Sequence, residues 1–219
     1  MARRGRFLVV LLLCLPLAGC PAFALPRPAQ IEPGVSVTGS LIAMTPPGDA
    51  ASWFWSFDCV SNCNHASVAP ALFVRAGVGE ARPRGELGLG VGGTSVYVEG
   101  YGLLSDPDAR AWGLGGRLSL PPQYGASEVF ARINLRESEE RTLFLNPTYA
   151  VHAADGRQFH AFFLAIGTHE EDDGGGMTLA LTPAVSYTRR PDAYGAGERE
   201  AWSAFVVLSG SYSVRFGWD

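Results

Sequence analysis

The feature that most constrains this chain is an alternation of period two, repeated in segments of about ten residues. In 127–136, SEVFARINLR, one face carries Val129, Ala131, Ile133 and Leu135, and the other Phe130, Arg132, Asn134 and Arg136. In 177–188, Met177, Leu179, Leu181, Pro183, Val185 and Tyr187 alternate with small and hydroxyl residues. The stretch 202–216 repeats this with Trp202, Ala204, Val206, Leu208, Gly210, Tyr212, Val214 and Phe216 on one side. An amphipathic helix repeats every 3.6 residues, and no stretch shows that period convincingly. Candidate strands fall at roughly 35–44, 66–77, 84–92, 95–104, 110–120, 127–136, 141–153, 157–168, 177–188 and 202–216. About ten residues is the length a tilted strand needs to cross a bilayer. The pattern predicts an all-β fold: an antiparallel up-and-down β-barrel of about 10 strands, roughly 8 to 12, occupying 35–219.

Turn chemistry predicts registers. Gly93-Thr94 suits a two-residue loop with glycine first; it sets Val91 against Val96 and Leu89 against Val98. Ala154-Asp155-Gly156 suits a three-residue loop; it sets Val151 against Phe159 and Tyr149 against Ala161. Pro70, Pro147 and Pro183 fall on the apolar face, where a closed sheet has no edge to hide them, so local bulges are expected there.

Alternation leaves two architectures open. A transmembrane barrel turns its apolar face to lipid and its polar face to the lumen. A soluble lipocalin-like barrel lines a ligand cavity with the apolar face. The chain is 47% hydrophobic and only 17% charged, and its 17 basic residues are all arginine. The polar faces thus lack the Lys/Glu coat of a soluble surface. They hold Arg75, Glu86, Glu99, Arg117, Arg132, Arg136 and Arg215, both signs together, as a lumen of paired charges requires. Tyr101, Trp112, Tyr187, Trp202, Phe216 and Trp218 lie near strand ends, where aromatic girdles form. With 21 acidic residues against 17 basic ones, no nucleic-acid footprint is present.

The N-terminus, MARRGRFLVVLLLCLPLAGC, has three arginines and then an apolar run too short to span a bilayer as a helix. Leu17-Ala18-Gly19-Cys20 resembles the lipobox of bacterial lipoproteins, which implies a lipid on Cys20 and a signal peptide over 1–19. Pro21 stands where inner-membrane lipoproteins usually carry aspartate, so the resemblance implies the outer membrane. Ala22-Phe23-Ala24 offers a rival, ordinary cleavage site. Residues 20–34, rich in proline, read as a lipidated tether. Cys59 and Cys63 are expected to form a local disulfide in an oxidising compartment; zinc with His65 is the alternative, short of a fourth ligand.

Over 35–219 the pattern resembles bacterial outer-membrane β-barrel proteins. The resemblance implies the cell outer membrane as location, with membrane lipid and the barrel-assembly machinery as partners. It implies a structural, interaction or narrow-pore role. The chain ends Phe216-Gly217-Trp218-Asp219, departing from the aromatic last residue common in such barrels.

Chemical motifs point away from catalysis, and no cofactor or metal is expected. Gly88-Leu89-Gly90-Val91-Gly92-Gly93 matches G-x-G-x-x-G, but a strand follows where a dinucleotide site needs a helix; the glycines instead make room or bend the strand. His152, His160 and His169 lie near one another, yet no serine motif accompanies them. An outer-membrane lipid hydrolase using His160 is the third reading, behind the lipid-anchored carrier of a hydrophobic ligand. The acidic run His169–Gly176 reads as a solvated turn, without calcium-loop spacing, and 189–200 as a polar loop.

Overall fold

The computed structural model describes residues 25–31, 33–44, 67–78, 83–92, 95–105, 110–120, 127–138, 140–154, 157–172, 174–191 and 198–216. Ten strands form one closed antiparallel barrel: β1 (Val35–Met44), β2 (Ser67–Val78), β3 (Gly85–Gly92), β4 (Ser95–Leu103), β5 (Trp112–Leu120), β6 (Ser127–Glu137), β7 (Arg141–Ala154), β8 (Arg157–Asp172), β9 (Gly175–Pro191) and β10 (Glu198–Phe216). Each strand pairs with its sequence neighbours, and β1 closes the barrel on β10 from Val35↔Phe216 to Met44↔Val207. Cys20, Cys59, Cys63 and Trp218 lie outside the described residues.

The two faces are distributed opposite to those of a water-soluble protein. Leu87, Leu89, Leu118 and Val129 point outward and are exposed, as is Trp202 at 72%. Arg75, Glu99 and Arg117 point inward at 1%. Apolar groups left outside and charges buried inside are what a lipid solvent demands. On β9 the outward apolar run from Met177 to Tyr187 spans about 25 Å at ordinary strand rise and tilt. Trp112 and Phe216 flank this belt at the mouth where β1 begins and β10 ends, the strand-terminal mouth, and Tyr187 and Trp202 lie toward the opposite one.

The β3–β4 register is the one the Gly93-Thr94 loop implies, with Leu89↔Val98 and Val91↔Val96. The β7–β8 register corrects the expectation by one residue. Ala154 pairs with Arg157, so Tyr149 faces Phe162 and Val151 faces His160. The three-residue loop would have placed outward Val151 against Phe159, which is buried in the lumen. A one-residue slip exchanges faces, so packing selects the shorter connection.

The expected bulges at the prolines are also corrected. Pro147 pairs with Leu164 in an unshifted β7–β8 register, and Pro183 pairs with Val206 in β9–β10. On its other side each proline interrupts the ladder without displacing it. No pairs join β6 to β7 between Phe130↔Thr148 and Ile133↔Leu145, nor β8 to β9 between Phe163↔Ala184 and Ile166↔Leu181. Proline lacks one donor, so a short gap suffices. Pro70 pairs with Leu41 one residue before the β2–β3 ladder begins at Ala71↔Gly92. The register shift falls instead between Asn134 and Arg136.

The last strands outrun their sequence limits. His169–Asp172 belong to β8 and Gly175–Gly176 to β9, so most of the acidic run is strand rather than turn. Likewise β9 continues to Pro191 and β10 begins at Glu198, which shortens the expected polar loop.

Candidate functional site in the barrel lumen

The lumen is organised by one transverse row of register partners. Arg75 on β2 pairs with Gly88 on β3, Gly88 with Glu99 on β4, Glu99 with Arg117 on β5, and Arg117 with Glu128 on β6. All five positions share the inward face. Gly88 is the gap that lets the row close: a Cβ there would lie 3.0 Å from Arg75 Cγ. Across that gap Arg75 Nε donates to Glu99 Oε1 at 2.9 Å. Arg117 Nη2 donates to Glu99 Oε2 at 2.8 Å, and Arg132 Nη2 to Glu99 Oε1 at 2.7 Å. One carboxylate thus gathers three guanidiniums. Arg132 Nη1 also donates to Glu86 at 3.2 Å, and Arg117 lies 3.6 Å from Glu128.

Aromatic rings separate the cations. Arg75 and Arg117 each lie 4.6 Å from the Phe73 ring centroid, and Arg132 lies 4.2 Å from that of Tyr101. Buried charge is tolerated only when paired and hydrogen-bonded, and guanidinium–π contact adds to this. Phe73 in turn lies over Gly90, where a Cβ would collide with its ring. Inward aromatics elsewhere use the same device: Tyr101 lies over Gly113, Phe130 over Gly115 and Phe144 over Gly167.

The remaining cross-section is filled by the chain itself. Residues 25–31 run inside the barrel, with Leu25, Ala29 and Ile31 buried. This corrects the tether expected over 20–34, of which 25–31 is a lumenal plug. Arg27 Nη1 reaches Glu86 at 3.0 Å. The Arg27 backbone N–H donates to Asn146 Oδ1 at 2.8 Å, and that of Ala29 to Asn134 Oδ1 at 2.8 Å. The Tyr101 hydroxyl donates to the Ala29 carbonyl at 3.0 Å. Pro26 and Pro28 carry no N–H, so every backbone donor from Pro26 to Ala29 is satisfied. Proline, read in sequence as the mark of a tether, here removes donors that burial would orphan. Toward the opposite mouth Leu25 joins an apolar cluster with Ile42, Phe73, Tyr97, Phe159, Phe163 and Phe205. The two lumenal spaces beside Leu25 measure about 20 Å³ each, room for about one water.

Of the residues expected to line the lumen, Arg75, Glu86, Glu99, Arg117 and Arg132 meet in this cluster. Arg215 stands apart at the strand-terminal mouth, 3.3 Å from Glu171. Arg136 is corrected: it is exposed, because the register shift after Asn134 breaks the alternation. Tyr101 is corrected from girdle to lumen, where it is buried and stacks on Phe130 at 6.3 Å. It lies two residues from Glu99, and period two puts both on one face. Glu128 and Arg27 were missed. Glu128 was legible, since it shares the parity of Arg132; nothing local marks Arg27.

The three histidines do not meet. His160 faces outward, its Nδ1 2.7 Å from the Tyr149 hydroxyl. His169 faces inward against Thr178 at 2.9 Å. His152 lies near the mouth where β7 ends and β8 begins.

An apolar outside, an ion-paired inside and full closure define the class: an antiparallel barrel of the kind that fits an outer membrane. No protein-family model matches the chain, and no curated protein matches it. Among solved structures, a NanC porin is similar over 84% of this chain and 100% of its own, at 9% identity and a TM-score of 0.36.

Proposed function

We propose that the protein is an integral outer-membrane barrel, shut in cross-section, with a structural or interaction role rather than that of an open solute channel. The observation that carries this is the inverted burial: exposed leucine and valine outside, a filled and ion-paired lumen inside. The test is gel migration of the membrane fraction, unheated against boiled in SDS, followed by conductance in planar bilayers. A heat-dependent mobility shift without conductance steps is expected. A soluble folded barrel obtained without detergent would return the lipocalin-like reading; stable steps from the wild-type chain would overturn the shut state.

A second reading, a narrow pore closed by the plug, draws on two features. Gly34, just before β1, has φ 91°, a conformation that other residues rarely adopt. The wall cluster holds three arginines and three glutamates without Arg27, so it stays balanced when the plug leaves. We propose no catalytic activity: the polar partner of His160 is Tyr149, not the serine a hydrolase would activate.

The lipid anchor on Cys20 stays a proposal with a geometric consequence. Five residues reach at most about 18 Å. Leu25 lies beside Ile42, seven residues up β1 from the strand-terminal mouth, with the plug below it. The distance back to that mouth is about as long as this reach, so an acyl chain held in the leaflet there would draw residues 20–25 nearly taut. The intact mass of the mature chain separates acylated Cys20 from cleavage after Ala24. The Cys59–Cys63 disulfide is proposed alongside it, testable by thiol labelling before and after reduction.

A further inference from the structure

We propose that the plug seat is a peptide-recognition site, selective for an extended segment with arginine between two prolines, able to bind that segment in trans. The inference rests on the shut-barrel reading. All four recognition groups belong to the wall: Glu86 on β3, Tyr101 on β4, Asn134 on β6 and Asn146 on β7. With the plug seated, each is buried to 5% exposure or less. They divide the work of reading a peptide. Glu86 takes the guanidinium at 3.0 Å. Asn146 and Asn134 accept the N–H groups of alternate residues. Tyr101 donates to a carbonyl.

The prolines are part of the specificity. A residue with an N–H at the buried position 28 would bring a donor into the lumen beyond those Asn146 and Asn134 accept, and an unpaired buried donor is costly. Arg27 reaches both oxygens of Glu86 through Nη1, at 3.1 and 3.0 Å, so the site reads a cation at the end of a long stem. Nothing in this chemistry requires the segment to be covalently joined to β1. The tether supplies effective concentration, not contacts. The occupant is thus the proline-flanked arginine segment 25–31 of a second copy of this chain, the sequence that the seat holds in cis.

The test uses the full chain carrying Arg27→Glu and Ala29→Pro. The first puts a carboxylate against Glu86, and the second removes the donor to Asn134. The probe is the acetylated heptapeptide Leu-Pro-Arg-Pro-Ala-Gln-Ile, labelled at its C-terminal end, the end at the mouth. Fluorescence anisotropy should show saturable 1:1 binding, weakened about tenfold or more when the peptide arginine becomes glutamine. Glu86→Gln in the same chain should weaken it similarly; Asn146→Ala gives an independent check should Glu86→Gln fail to fold. Equal binding of the glutamine peptide, or no saturable binding to protein that keeps its heat-dependent gel shift, overturns the site. Loss of the gel shift itself would instead indict the barrel reading beneath it.

Discussion

The barrel wall has two halves that fill the same lumen by different physics. Strands β1–β6 are short, at 10, 12, 8, 9, 9 and 11 residues. They carry Arg75, Glu86, Glu99, Arg117, Glu128 and Arg132. Strands β7–β10 are long, at 14, 16, 17 and 19 residues. Their buried inner face is mostly hydroxyl, alanine and phenylalanine, such as Thr148, Ala161, Phe163, Thr182, Ala184 and Ser186. In the short half a single carboxylate is shared by side chains from three other strands, so removing Glu99 takes a partner from three guanidiniums at once. In the long half, size matching of small residues to aromatic rings fills space through local contacts. The short half is therefore a coupled unit and the long half closer to a sum of parts.

Four substitutions test that contrast. The largest effect is expected from Glu99→Gln, which leaves three buried guanidiniums around a neutral amide. Breaking a buried ion pair costs about 3–5 kcal/mol, read as a fall in the urea midpoint of the heat-shifting species. A loss near 1 kcal/mol would show that the row is not coupled. Gly90→Val comes next, since its Cβ meets the Phe73 ring; overpacking of this kind costs about 1–3 kcal/mol. Combined with Glu99→Gln it should fall short of additivity, because both act on the same row. Arg27→Gln removes one part-exposed partner of Glu86 and leaves the wall balanced. About 1 kcal/mol is expected, with the gel shift intact and conductance steps rising above wild type if the plug is the closure. The smallest effect belongs to the long half: Ser186→Ala should change stability by less than about 0.5 kcal/mol. A loss of 2 kcal/mol or more there would erase the distinction between the halves.

Legibility differed by element. The β3–β4 register could be read because Gly93-Thr94 admits one loop length, whereas Ala154-Asp155-Gly156 admits two and the buried Phe159 decides between them. The lumenal charges on β2 to β6 followed from parity, because alternation is unbroken there. Arg136 escaped the rule where the shift after Asn134 interrupts it. The extra lengths of β8 to β10 were hidden, since Glu170–Asp172 and Arg189–Arg190 look like loop when only hydropathy is read. Pairing across Arg141↔Glu170 and Glu200↔Arg189 instead sets opposite charges side by side on neighbouring strands.

By itself the sequence determined the strand periodicity, the strand count and which residues share a face, because these depend on neighbours two positions apart. Alternation has no sign, however: it does not say which face meets the lumen. Closure decided that, by burying the face whose charges can find partners on adjacent strands. The plug lay further still beyond local reading. Its contacts join residues 59, 72, 105 and 119 positions apart, and Pro-Arg-Pro is a tether or a ligand according to what four distant strands place around it.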